Sequence, residues 1–127
     1  MKFLSSIFLL LFFASSCNSN KNEEVACTME FRIISVEVVG AELTDYFTIR
    51  ESSQDTLYLQ EFNYEFFNSY PVLTDAQFSL LATNVVEDFR FVGFVDEELR
   101  VNELYRIGAD RCHIFLEDGN TQINLAE

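Results

Sequence analysis

The sequence predicts an all-β fold, an antiparallel β-sandwich of about seven or eight strands with at most one short helix. Short apolar runs with period-two alternation recur along residues 27–127, separated by polar turns such as ESSQD (51–55) and EDGN (117–120). Fourteen phenylalanines and no tryptophan, with four glycines and one proline, point to a dense aromatic core rather than disorder. The 127 residues leave room for one domain of about 100 once a leader is set aside, and no internal repeat is present.

The leader comes first. Lys2 precedes an apolar run from Phe3 to Phe13, and Ala14, Ser15 and Ser16 precede Cys17. That is a short positive region, an apolar stretch of signal-peptide length and small residues at a cleavage site. The run is shorter than the roughly 20 residues a membrane span needs. Small residues directly before a cysteine resemble a bacterial lipobox, which implies lipidation of Cys17 and removal of residues 1–16. Anchoring energy would come from the acyl chains, at roughly 0.8 kcal/mol per buried methylene. Residues 17–26 then read as the acylated cysteine and a flexible tether containing NSNKNEE. Lys21 followed by Glu23 and Glu24 resembles the export signal of surface lipoproteins in Bacteroidota. The expected location is the bacterial outer membrane, on the cell surface, with its periplasmic face as the alternative.

Residues 27–127 are the expected β-sandwich domain. TMEFRIISVEVV (28–39) reads as the first strand, with a face switch between Ile33 and Ile34 that implies a bulge. Residues 40–45 connect to a short strand at 46–50, in which Phe47 and Ile49 share a face. A turn at 51–55 leads to an alternating run at 56–62, with Leu57 and Leu59 on one side. Tyr64, Phe66, Phe67 and Tyr70 follow without a clean period. They read as core, or else as an exposed aromatic contact surface for a glycan or protein.

Pro71 favours an edge position. Thr74 or Asp75 could cap a short helix running to Ala82. DFRFVGFV (88–95) is a strand, and Asp96, Glu97 and Glu98 form an acidic turn. A long strand at 99–107 changes parity near Asn102 and Glu103, which implies a second bulge. CHIFL (112–116), a hairpin turn at 117–120 and a last strand at 121–125 complete the domain.

The chain carries a formal charge of −13, and −14 once Lys2 is removed with the leader, leaving 7 basic and 21 acidic residues. Such a field repels nucleic acid, so nucleic acid is not an expected partner. With Cys17 acylated, Cys27 and Cys112 remain as an even pair, which in an oxidising compartment reads as a disulfide. It would close a loop of about 85 residues.

His113 is the only histidine and cannot build a histidine-rich zinc site. It could join Asp110 and Arg111 in a small polar cluster that ties the Gly108 turn to neighbouring backbone. Adjacent strand residues point to opposite faces, so His113 could not readily activate Cys112. Asp96, Glu97 and Glu98, and Glu117 and Asp118, lack the spacing of a dedicated calcium loop. No nucleophile elbow or phosphate loop is present. No catalytic residue, metal or cofactor is therefore expected.

ASSC at 14–17, the opening cysteine with FRIISVEVV, the extended YPVLTD and the closing YRIGADRCHIFLEDG together resemble a family of small Bacteroidota lipoproteins. Members of that family carry immunoglobulin-like or transthyretin-like domains. The chain departs from carboxypeptidase-regulatory-like relatives at Gly40-Ala41-Glu42-Leu43, where a Gly-x-Pro turn is common. The resemblance implies a fold and a location, not an activity. Three functions follow as expectations: a non-catalytic binding or supporting module of the envelope, an inhibitor or immunity-type lipoprotein with an acidic contact loop, and a small hydrolase around His113.

Overall fold

The computed structural model describes residues 26–60 and 68–126. The leader, Cys17 and most of the tether lie outside them, as do Tyr64, Phe66 and Phe67. The described strands are β1 (Ile33–Val39), β2 (Asp45–Arg50), β3 (Asp55–Leu57), β4 (Ser69–Thr74), β5 (Val86–Val95), β6 (Glu98–Ala109), β7 (Ile114–Asp118) and β8 (Gln122–Asn124). A 3-10 helix, Asp75–Leu80, follows β4. One sheet has the order β4-β1-β8 and the other β3-β2-β5-β6-β7. All pairings are antiparallel except β1 with β8, which is parallel. Among the described residues no helix is long and apolar enough to cross a membrane.

The two sheets face each other over a single apolar core. Alternation in IISVEVV turns Ile34, Val36 and Val38 inward and leaves Glu37 in solvent. Phe89, Phe91, Tyr105 and Ile107 of β5 and β6 meet them from the other sheet. Fully burying one such side chain stabilises by roughly 1.5–3 kcal/mol. Two hydrogen bonds satisfy polar groups inside this layer. Thr48 Oγ1 donates to the Val72 carbonyl at 2.6 Å, and the Leu43 N–H donates to the Tyr70 hydroxyl at 2.8 Å. The first crosses from one sheet to the other.

Several elements differ from the sequence expectation. β1 begins at Ile33 rather than Thr28, because the backbone of Arg32 is engaged by Asp75 instead of a strand neighbour. Its register shift lies between Ile34 and Ser35, one residue beyond the expected switch, with Val72 as the extra residue on β4. Phe47 and Ile49 do share a face of β2, but Thr48 between them is the fully buried residue. β3 is only three residues long, although Leu59 beyond it is buried.

No irregularity falls at Asn102 and Glu103. The shifts lie instead opposite Arg100, beside Gly93, and opposite Glu117, beside Arg106. The first is where the fold needs close approach, since a Cβ on Gly93 would come within 2.7 Å of the Leu43 side chain.

The turn after β7 is not a hairpin. β8 crosses to the opposite sheet and runs alongside β1, which brings Ile123 into the core and Leu125 against it. Ile123 is thereby buried between the sheets and Leu125 partly covered. Among the described residues, Pro71 does lie on an edge strand, β4.

Candidate functional site

The polar centre of the molecule forms where the segment before β1, the start of the 3-10 helix and the turn before β7 meet. Cys27 and Cys112 are joined by a disulfide across a sequence separation of 85. That bond holds residues 26–32, which are exposed, against the end of the five-stranded sheet.

Local sequence explains how Asp75 becomes available. Thr74 caps the helix, its Oγ1 accepting the Ala76 N–H, while the Gln77 side chain reaches back to the Thr74 N–H. This is a capping box, and it releases the Asp75 carboxylate from capping duty. Asp75 Oδ2 accepts the Arg32 N–H at 2.8 Å, and its Oδ1 accepts the Ile114 N–H at 2.9 Å. The Asp75 N–H donates in return to the Arg32 carbonyl at 2.9 Å. One residue thus ties the segment before β1 to the start of β7.

His113 sits over that carboxylate, 7% exposed. Its Nδ1 lies 2.7 Å from Asp75 Oδ2, and its Nε2 lies 3.0 Å from Thr28 Oγ1. With the Nδ1 proton donated to the carboxylate, Nε2 is the acceptor for the threonine hydroxyl. Burial pushes the Asp75 carboxyl up, but the Arg32 and Ile114 N–H groups and His113 outweigh it and hold it below its ordinary value. The arrangement can hold a hydroxyl, an imidazole and a carboxylate in line, and it can equally clamp three chain segments.

Of the cluster Asp110, Arg111 and His113, the fold joins only two members. Asp110 Oδ1 accepts the N–H groups of Cys112 and His113, both at 2.8 Å, shaping the turn. Those two bonds, the Cys112 one foremost, lower the Asp110 pKa. Arg111 is exposed and does not enter the cluster through its side chain.

No local pattern marks Thr28 as a partner of His113, and Thr28 and Asp75 lie 85 and 38 residues from it. A local signal existed for Asp75 alone: in TDAQ the Thr and Gln already complete the cap, leaving the aspartate free. Of the expected aromatic surface, Tyr70 is 8% exposed and bonded to Leu43, so it belongs to the core. Among the described residues, no group of three or more His, Cys, Asp or Glu side chains could hold a metal ion. Set against protein-family models, curated proteins and solved structures, the chain matches none.

Proposed function

We propose that the protein is a lipid-anchored lipoprotein of the cell envelope, whose β-sandwich binds a protein or glycan partner or supports a larger assembly without catalysis. The observation that carries this reading is the Cys27–Cys112 disulfide. Such bonds persist in oxidising compartments outside the cytoplasm, the destination that the apolar leader and Cys17 specify. A small, mostly-β domain clamped at its first residues also suits a body held on a tether. Palmitate labelling of the producing cell tests it. Label should enter the wild type and be absent from Cys17→Ser; an unlabelled wild type sinks the anchor. Protease shaving of intact cells then separates the outer face, where the domain is digested, from the periplasmic face, where it survives until lysis.

One observation favours a second reading. Thr28, His113 and Asp75 stand in the order hydroxyl, imidazole, carboxylate used by nucleophilic hydrolases. In that reading His113 takes the Thr28 proton as the hydroxyl attacks an acyl carbon, and Asp75 stabilises the imidazolium. Turnover of p-nitrophenyl acetate that vanishes in Thr28→Ala would establish it. Equal background rates in both proteins leave the trio as a structural clamp. An inhibitor or immunity role would instead show as a tight protein complex that weakens steeply with salt.

A further inference from the structure

The outward face of the five-stranded sheet carries a row of large side chains that the core does not absorb. Tyr58, just past β3, is 65% exposed, and its ring meets Phe47 of β2 edge-on with centroids 5.8 Å apart. Phe47 meets Phe94 of β5 at 5.9 Å. Phe94 is the direct strand partner of Leu99 on β6, which is 51% exposed. The row therefore extends across the β2, β5 and β6 strands to the residue beyond β3. At its centre is a cleft of about 430 Å³, lined among the described residues by Phe47, Phe94, Thr44, Asp45 and Glu97.

Among the described residues, the polar side chains lining this cleft accept hydrogen bonds and offer none. Thr44 Oγ1 donates its one proton to the Phe94 carbonyl at 3.2 Å and accepts the Asp96 N–H at 2.9 Å. Asp45 and Glu97 are acceptors only when ionised. Asp45 Oδ1 takes the Tyr46 N–H and the Gln60 amide, whereas its Oδ2 and the Glu97 carboxylate accept nothing from the described residues. An occupant must bring donors, carry positive charge and tolerate aromatic faces. An ammonium or guanidinium meets all three demands, through cation–π contact and charge-assisted hydrogen bonds. A sugar could donate its hydroxyls to these carboxylates too, but it would leave their negative charge unbalanced.

We propose that this cleft binds a lysine or arginine side chain of a partner protein, with Tyr58 and Leu99 covering apolar residues beside it. The inference rests on the binding-module reading above and names the partner's chemistry. A polypeptide is favoured over a free amine because Tyr58 and Leu99 flank the cleft, where a small cation would leave them uncovered. A second copy is disfavoured because each copy carries a net charge of −13, or −14 without the leader. That same charge draws a basic partner in.

The test is selection of random displayed heptapeptides on the full-length protein in detergent, followed by affinity measurement of the strongest. Enriched peptides should carry lysine or arginine beside apolar residues. The strongest should lose at least tenfold in affinity on Tyr58→Ala and on Glu97→Gln, both exposed positions with little bearing on folding. Enriched peptides without basic residues, or basic ones unaffected by the two substitutions, overturn the cleft and leave the binding module standing. No enrichment at all counts against both. Arginine amide binding as tightly as the peptide would overturn the protein partner in favour of a small cation. A neutral oligosaccharide that displaces the peptide would overturn the demand for positive charge.

Discussion

His113 Nδ1 and Asp75 Oδ2 lie 2.7 Å apart across 38 residues, and both side chains are about nine-tenths buried. The pair is tight because burial leaves both groups little access to water, and because two backbone N–H groups fill the rest of the carboxylate. Around this pair the segment before β1, the 3-10 helix and the start of β7 become one unit.

Removing the carboxylate should therefore cost more than removing either neighbour. Asp75→Ala strands the Arg32 and Ile114 N–H groups and the His113 ring together, and is expected to destabilise by about 3 kcal/mol. Thr28→Ala removes one partly exposed bond and should cost about 1 kcal/mol or less. Urea unfolding of both variants with the disulfide intact measures the difference. Equal losses would mean that the carboxylate is not the hub.

Acid should loosen this region and the Glu87–Arg50 contact between β5 and β2. The Asp75 carboxyl lies below its ordinary value in the folded protein, as does Glu87, which is bonded first to Arg50 and also to Ser52. A depressed carboxyl contributes stability that is present above the unfolded value and lost as pH falls through the folded one. The expected loss thus begins below roughly pH 4 and continues downward. Stability measured against pH should fall less steeply over that window in Asp75→Asn and in Glu87→Gln than in the wild type.

Reduction should act through the unfolded chain. Opening a bridge across 85 residues releases up to roughly 4–5 kcal/mol of loop-closure restraint. Thermal unfolding with and without reductant, and of Cys27→Ser with Cys112→Ser, should give matching decreases. Limited proteolysis of the reduced protein should cut first within residues 26–32, which lose their covalent tie.

The crossover after β7 depends on Gly119. Its φ is +148°, and an added Cβ would stand 2.3 Å from the Tyr105 ring, so Gly119→Ala should cost about 3 kcal/mol. Tyr105 is fully buried and donates its hydroxyl to the Asn120 carbonyl; burial foremost, and Glu103 next, raise its pKa. Tyr105→Phe should cost about 1 kcal/mol, since the ring stays and one bond is lost. A Gly119→Ala loss no larger than the Tyr105→Phe loss, by guanidinium denaturation, would show that the turn can relax.

Much of the fold was legible because its signals are local. The turn at 51–54, the acidic turn at Asp96 and Glu97 and the cap before Asp75 each follow from a few consecutive residues. The alternation in IISVEVV and DFRFVGFV marked strands for the same reason. In β2 the alternation of DYFTIR showed that Phe47 and Ile49 share a face without saying which face is inside. The last strand misled because a polar turn between apolar runs looks alike whether the chain folds back or crosses over.

By itself, then, the sequence determined an all-β class, where most strands lie and a disulfide between the two cysteines of the domain, since backbone preference and residue chemistry act at short range. Tertiary structure alone decided that β8 leaves its neighbour for β1, that Thr48 is buried while Phe47 stands outside, and that His113 meets Asp75 and Thr28. Those outcomes depend on which distant surfaces bury one another, a competition over the whole core that no local run of residues encodes.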